Sequence, residues 1–137
     1  MSELRRRLAL NLAVLNLRRF QWLLFAPALV LAAGQLAAWG GYWWLSGRVQ
    51  AAADEGALAV RVSADPSVQE ELARRAAARR LPGDARAQAS RVTLQRRPEG
   101  LLVQVSYDAS HWWIYGLRRI LPTPPRTVVR IATAPPR

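Results

Sequence analysis

The sequence contains no cysteine and no lysine, and it has one histidine and nine acidic residues among 137. Without cysteine the chain can form no disulfide, no thiolate metal site and no thiol nucleophile. His111 alone does not supply the ligands of a zinc site, and no carboxylate cluster replaces the missing ones. The sequence also lacks a phosphate-binding loop, a dinucleotide fingerprint and a calcium loop. We therefore predict that the protein uses no metal and no cofactor.

Asp108, Ser110 and His111 are the residues that could suggest a catalytic triad. Nucleophilic catalysis needs serine, base and acid to converge from different parts of a fold beside an oxyanion hole. Three residues within four positions do not readily face one point, and no glycine pattern typical of a nucleophile elbow surrounds Ser110. We predict that the protein is not an enzyme.

All 20 basic residues are arginine, and the net charge is +11. Residues 1–19 carry +4, residues 20–63 are neutral and residues 64–137 carry +7. A basic balance can indicate binding to nucleic acid or to anionic lipid. Because the arginines of the last segment are scattered in pairs, with no single dense stripe, the pattern argues against nucleic acid as a partner.

A run of 28 residues, from Phe20 to Gly47, carries no charged side chain. About 20 apolar residues suffice to cross a bilayer core, and a lone spanning segment must be helical because lipid offers its backbone no hydrogen bonds. The run therefore predicts a transmembrane helix over residues 20–47. Tryptophan and tyrosine mark the two membrane interfaces: Trp22 at one end, and Trp39, Tyr42, Trp43 and Trp44 at the other.

A cleaved signal peptide is the alternative interpretation of this run, with Leu31-Ala32-Ala33 as a cleavage neighbourhood. A signal core spans only about 7–15 apolar residues, and this run continues well beyond that length, so an anchor is favoured. The segment Leu8 to Leu17 is too short to span a membrane. It is either an interfacial helix or a cytoplasmic extension of the main helix.

Arginine counts predict the orientation of the anchor. Five arginines precede the run, whereas only Arg48 and Arg61 follow closely. The positive-inside rule then puts residues 1–19 in the cytoplasm and the C-terminal part outside. We predict a single-pass protein of the bacterial cytoplasmic (inner) membrane.

Residues 48–64 are predicted to extend the anchor helix, because no proline interrupts the chain between Pro27 and Pro66. Asp65-Pro66 starts a second helix, with aspartate as N-cap and proline at the first helical position. Leu81-Pro82-Gly83 ends that helix.

Three β-strands are predicted in the last third of the chain. Residues 91–95 and 101–107 alternate with period two around a turn at residues 96–100, which is typical of a β-hairpin. A third strand covers Thr127 to Thr133 after a proline-rich loop. The predicted fold class is α+β: one N-terminal transmembrane helix, extended into a domain (residues 65–137) with one small helix and a three-stranded antiparallel meander.

The residues that follow the anchor resemble the TadE-like family, the minor pseudopilins and pilus-assembly proteins of tight-adherence (Flp-type) systems. Two strands support the resemblance, Val103-Gln104-Val105-Ser106-Tyr107 and the closing strand Val128 to Ala134, and together the matches cover about residues 22 to 134. The matching positions after the anchor are Ala52, Ala53, Glu55, Gly56, Ala57, Ala59 and Val60.

The resemblance implies a non-enzymatic, membrane-anchored accessory component of pilus assembly or secretion. Its implied partners are membrane lipid, other pilin-like proteins and further copies of the chain. The sequence departs from the pattern of peptidase-processed pseudopilins, because no glycine precedes Gly34 and Glu3 is the only acid before Asp54. Asp108 also stands where the family often has proline.

Two stripes of small residues are predicted to be interaction surfaces, because small side chains let helix backbones approach closely. One stripe lies within the membrane at Gly34, Ala38 and Gly41. The other lies just beyond it, at Ala52, Ala53, Gly56 and Ala57. The alternative for the second stripe is a solvated helical spacer.

An aromatic segment, residues 111–121, contains Trp112, Trp113 and Tyr115. Three interpretations stay open for it: a lid on the sheet, a contact with a partner protein, or a contact with the membrane. The competing function for the whole chain is a bitopic binding module whose arginine-rich outer domain holds an anionic surface polymer or lipid.

Overall fold

The computed structural model describes residues 2–83 and 89–135. The chain divides into two compact units, a first that ends at Ala37 and a second that begins at Ala38. Helix α1 is Ser2–Ala59, and a short 3₁₀ helix, Val60–Val62, follows it. The remaining elements are helix α2 (Pro66–Arg80), strands β1 (Ser90–Arg97) and β2 (Gly100–Asp108), a 3₁₀ helix (Trp113–Arg119) and strand β3 (Thr127–Ala134). The predicted α+β class is confirmed.

The first unit is helical and presents apolar side chains to its surroundings. Phe20, Trp22, Leu23 and Val30 are each about two thirds or more exposed, at 66%, 71%, 71% and 71%. Among the described residues, one helix is long and apolar enough to cross a membrane, and it lies near the N-terminus. The helical backbone runs without interruption from Ser2, so residues 8–17 belong to this helix.

From Ala38 onward α1 belongs to the second unit and buries one face. Because an α-helix has about 3.6 residues per turn, side chains three or four positions apart lie on the same face. The buried positions follow that spacing from Leu45 onward, and Ala38 lies two turns before Leu45 on the same face. They end at Val60 in the short 3₁₀ helix: Ala38, Leu45, Val49, Ala52, Ala53, Gly56, Ala57 and Val60.

Helix α2 begins and ends where the sequence predicts. Asp65 is its N-cap, and the carboxylate accepts hydrogen bonds from the Ser67 amide at 3.0 Å and from the Ser67 hydroxyl at 2.8 Å. The Ser67 side chain and amide thereby hold the pKa of Asp65 below its usual value. Pro66 occupies the first turn, where its missing N–H costs no hydrogen bond.

The sheet is an antiparallel meander in the order β1-β2-β3, as predicted. Pro98 and Glu99 make the tight turn of the hairpin, and Arg97 pairs with Gly100. Gly100 has φ of 137°, a left-handed backbone conformation that favours glycine. Alternate residues of β2 face the core, since Val103, Val105 and Tyr107 are buried.

The core forms where α1 packs on the inner face of the sheet, with α2 alongside. The Val103 side chain of β2 lies on Gly56 of α1: a Cβ built on this glycine would be 3.1 Å from Val103 Cγ1. The same Cβ would lie 3.6 Å from the carbonyl oxygen of Ala73 in α2. Small residues on α1 therefore allow both the sheet and α2 to come close to the helix backbone.

Polar contacts hold these elements together around the core. Gln69 of α2 donates through its side-chain amide to the carbonyl oxygens of Val60 (3.2 Å) and Ser63 (2.7 Å). It thereby satisfies carbonyl groups where the helical run beginning with α1 ends. Glu55 of α1 forms an ion pair with Arg80 of α2 at 2.5 Å.

Replacing Gly56 with leucine is expected to destabilise the second unit, because the new side chain would meet Val103 and Ala73. Overpacking of this kind costs about 1–3 kcal/mol, which for a domain of this size lowers Tm by several degrees at about 4–8 °C per kcal/mol. Thermal unfolding of the full-length protein in detergent, followed by circular dichroism, measures the change.

Gly47→Leu is the matched control, because a Cβ at Gly47 meets nothing within 4 Å. It makes the same chemical change in the same helix and is expected to leave Tm unchanged or slightly raised, since leucine is the better helix former. Equal Tm values for the two variants would contradict the packing described for Gly56.

Candidate interaction surfaces

The small-residue stripe beyond the uncharged run lies in the core of the second unit. Ala52 and Ala53 are fully buried, Ala57 is 6% exposed, and Gly56 contacts the sheet and α2. The prediction that these four residues pack against another chain is therefore corrected. Their small size serves the approach of the protein's own sheet and second helix. The alternative of a solvated spacer is wrong for the same reason.

The other predicted stripe is divided between the two units. Gly34 lies in the first unit, and a Cβ built there meets nothing within 4 Å. In the second unit Ala38 is buried, and a Cβ at Gly41 would lie 3.4 Å from Cζ3 of Trp112. Gly41 thus has an intramolecular neighbour, whereas the surface at Gly34 is open in this structure.

The three predicted contact residues of the aromatic segment differ in burial. Trp112 packs against the hydrophobic core, and Tyr115 is 8% exposed, with its hydroxyl donating to the Pro125 carbonyl at 2.9 Å. Burial raises the pKa of Tyr115. Trp113, in contrast, is 68% exposed. The segment is therefore a lid on the core at Trp112 and Tyr115, and an open apolar surface at Trp113.

Contacts along α1 give the direction in which the sheet lies on it. Trp112 contacts Gly41, and Arg130 of β3 donates to the hydroxyl of Ser46, five residues further along the helix. Val103 reaches Gly56, still further along. Loop 109–126 therefore lies beside the region of α1 around Gly41. The β1–β2 turn lies toward the C-terminal end of α1.

An arginine-lined cleft, of about 330 Å³, lies at that C-terminal end. Arg61 contributes from the short 3₁₀ helix, and Arg96 and Arg97 contribute from the end of β1. No acidic side chain is among the described residues that line it. The other lining residues are Val60, Ser63, Ala64, Gln69, Pro98, Gly100, Leu101, Ala134 and Pro135.

Sequence reasoning missed this cleft, although the strand register contains the signal for it. Arg96 pairs with Leu101, and Leu101 pairs with Ala134, so the three residues form one row across the sheet. That row continues the inner face on which Val103 lies, two residues along β2. Arg96 lies at the end of this inner face and is thereby placed beside the end of α1.

Asp108 and Ser110 form a local turn at the end of β2. The Ser110 amide donates to the Asp108 carboxylate at 2.9 Å, and this bond is the main reason why the pKa of Asp108 lies below its usual value. His111 makes an edge-to-face ring contact with Tyr107, with centroids 6.3 Å apart. These contacts give the three residues of the candidate triad a role in shaping the turn.

Among the residues that the structure describes, no group of three or more histidine, cysteine, aspartate or glutamate side chains could hold a metal ion.

Comparisons with protein-family models, with curated proteins and with solved structures find no match to this chain. The fold and surfaces define an α+β domain built on a single candidate membrane helix.

Replacing Gly41 with leucine is expected to displace Trp112, because the added side chain would begin within van der Waals contact of the indole. Displacement should open the aromatic segment and speed tryptic cleavage after Arg118 and Arg119. The measurement is limited proteolysis of full-length protein in detergent, with cleavage sites identified by mass spectrometry.

Gly40→Leu is the neighbouring control, since a Cβ at Gly40 meets nothing within 4 Å. Its cleavage rate should equal that of the wild type. If both variants are cleaved at the wild-type rate, the packing of Trp112 does not require a glycine at position 41.

Proposed function

We propose that this chain is a non-enzymatic, TadE-like membrane-anchored pseudopilin, an accessory component of pilus-assembly or secretion machinery. One observation carries the proposal: a single helix has an apolar, exposed first part and then becomes the spine of a small α+β domain. The residues that suggest the family sit at the centre of that domain. Gly56, Ala57 and Val103, for example, contact one another or share one core.

The anchor would hold the domain at the outer face of the bacterial cytoplasmic membrane, with residues 1–19 inside. Membrane lipid and other single-span pilin-like proteins are then its partners. Gly34 provides a small-residue surface for such a neighbour, because a Cβ placed there meets nothing within 4 Å beyond the adjoining turns of its own helix. Self-association through the same surface would give a homo-oligomer.

Processing by a prepilin peptidase is not part of the proposal. The chain lacks a glycine before the apolar run, and Asp54 is the first acid after Glu3. Asp54 lies in the second unit, where it accepts a hydrogen bond from Gln50 at 3.0 Å. An accessory role at the membrane fits these residues better than that of a major filament subunit.

The arginine-lined cleft favours a second candidate function, that of a bitopic module that binds an anionic polymer or lipid. Arg61, Arg96 and Arg97 are exposed and line one cavity. Arg74 and Arg75 of α2 differ, because each is paired with a glutamate one helical turn away, at 3.0 and 2.7 Å. The positive charge of the three cleft arginines faces one cavity, whereas that of Arg74 and Arg75 is paired with glutamate.

The orientation of the proposed anchor is tested by protease protection. Protease added to intact spheroplasts should digest a C-terminal tag and spare an N-terminal one, because the arginine-rich end stays in the cytoplasm. Lysed spheroplasts, in which both tags should be digested, are the control. Protection of the C-terminal tag alone would overturn the orientation.

The two candidate functions differ in what the full-length protein binds after mild solubilisation. A pseudopilin should copurify with other small single-span pilin-like proteins, and a secretion ATPase gene beside this gene would agree with that role. A polymer-binding module should instead be retained on dextran sulfate in a salt-dependent manner.

Arg96→Gln/Arg97→Gln is expected to weaken polyanion retention much more than Arg74→Gln/Arg75→Gln if the cleft is the binding site. If pilin-like proteins copurify, and neither double variant changes their amount, the result supports the pseudopilin function. Retention that depends on Arg96 and Arg97, without pilin-like partners, would replace the first proposal with the second.

A further inference from the structure

The aromatic segment presents large apolar side chains that the described chain leaves uncovered. Trp113 is 68% exposed and Ile120 is 73% exposed. Between them lie Arg118 and Arg119, both exposed. Their neighbours Ile114 and Tyr115 are buried, so the segment is fixed to the domain while Trp113 and Ile120 face outward.

The position of this segment along α1 is set by Trp112, which contacts Gly41. Trp43 and Trp44, in the same stretch of helix, are also exposed, at 73% and 52%. Exposed aromatic side chains therefore come from two separate parts of the chain, one on α1 and one on the segment that packs against it.

Helix dimensions relate this level to a membrane. At about 1.5 Å per residue, a helix needs about 20 residues to cross a hydrocarbon core about 30 Å thick. A span that begins at Phe20 therefore ends near Trp39. The headgroup layer adds about 5–8 Å on each side, which corresponds to the next few residues of α1. Gly41, and with it Trp112, falls in that layer.

We propose that the aromatic segment is a second membrane contact, in which Trp113 and Ile120 enter the headgroup region and Arg118 and Arg119 meet anionic lipid. The indole ring of tryptophan suits this region because it is apolar with one polar N–H group. Loop 109–126 contains three arginines, Arg118, Arg119 and Arg126, and no acid, so its charge complements an anionic bilayer surface.

This inference rests on the anchor part of the proposed function and is independent of any role in pilus assembly. It implies that residues 38–47 of α1 belong to the outer domain and its interface with lipid, and that the hydrocarbon core is crossed by the residues before them. The domain would then be held against the bilayer at two places, by α1 and by the aromatic segment.

The test uses the full-length protein, whose lack of cysteine permits labelling at single introduced sites. Gly116→Cys lies within the segment, where a Cβ meets nothing within 4 Å. Thr93→Cys, exposed on the opposite face of the sheet from the core, is the control outside the membrane, and Leu24→Cys is the control within the span. Each variant carries a bimane label in vesicles of phosphatidylcholine and phosphatidylglycerol that contain a nitroxide lipid.

With the nitroxide on the headgroup, quenching at Gly116→Cys should exceed that at Thr93→Cys about threefold or more. With the nitroxide on the acyl chain, Leu24→Cys should be quenched strongly. Quenching at position 116 no greater than at 93, with position 24 quenched, would overturn the second contact and leave the anchor standing. A partner-protein surface gives that same result in protein-free vesicles. Without quenching at position 24, the anchor fails, and the second contact fails with it.

Two further variants separate the apolar and charged contributions. Trp113→Ser/Ile120→Ser, in the Gly116→Cys background, should reduce headgroup quenching at least about twofold, whereas Val129→Ser/Ile131→Ser on exposed β3 positions should not. Arg118→Gln/Arg119→Gln should reduce quenching in the anionic vesicles and change little in pure phosphatidylcholine. Equal quenching for all these variants would contradict the proposal that these tryptophan, isoleucine and arginine side chains contact the lipid.

Discussion

The close approach of Val103 to Gly56 is the contact on which the rest of the second unit depends. A glycine at this point of α1 lets β2 lie directly on the helix backbone, and it lets Ala73 bring α2 against the same turn. The neighbouring alanines extend the close packing over several turns, so a core with few large side chains is still dense. That approach brings the sheet and α2 onto the same turn of α1.

The same helix accounts for the two different environments along the chain. The large apolar side chains of residues 16–37, all of them described, are exposed, and after Ala38 one face of the helix is covered by the domain. Helix α1 therefore contributes both the candidate span and one element of the domain.

Sequence patterns predicted the elements well, because each depends on local chemistry. Asp65-Pro66 specifies the start of α2, and the alternation around Val103 and Val105 specifies both the strand and its inner face. The partner of the small-residue stripe could not be predicted in the same way. Small side chains permit close approach by any surface, and only the folded chain shows that Val103 and Ala73 occupy it. For the same reason, the different exposures of Trp112 and Trp113 follow from tertiary packing and not from their adjacent places in the sequence.

An engineered disulfide between residues 56 and 103 tests the central claim most directly, because the chain has no cysteine of its own. Val103 Cγ1 lies 3.1 Å from the Cβ position of residue 56, so the Cβ atoms of Gly56→Cys and Val103→Cys come within the range that a disulfide needs. If α1 is the spine of its own domain, mild oxidation in detergent should give an intramolecular bond whose yield does not change on dilution, and the Gly47→Cys/Val103→Cys pair should give none. Disulfide-linked dimers whose yield falls on dilution, with no intramolecular bond, would show that the stripe faces another chain and would contradict the account.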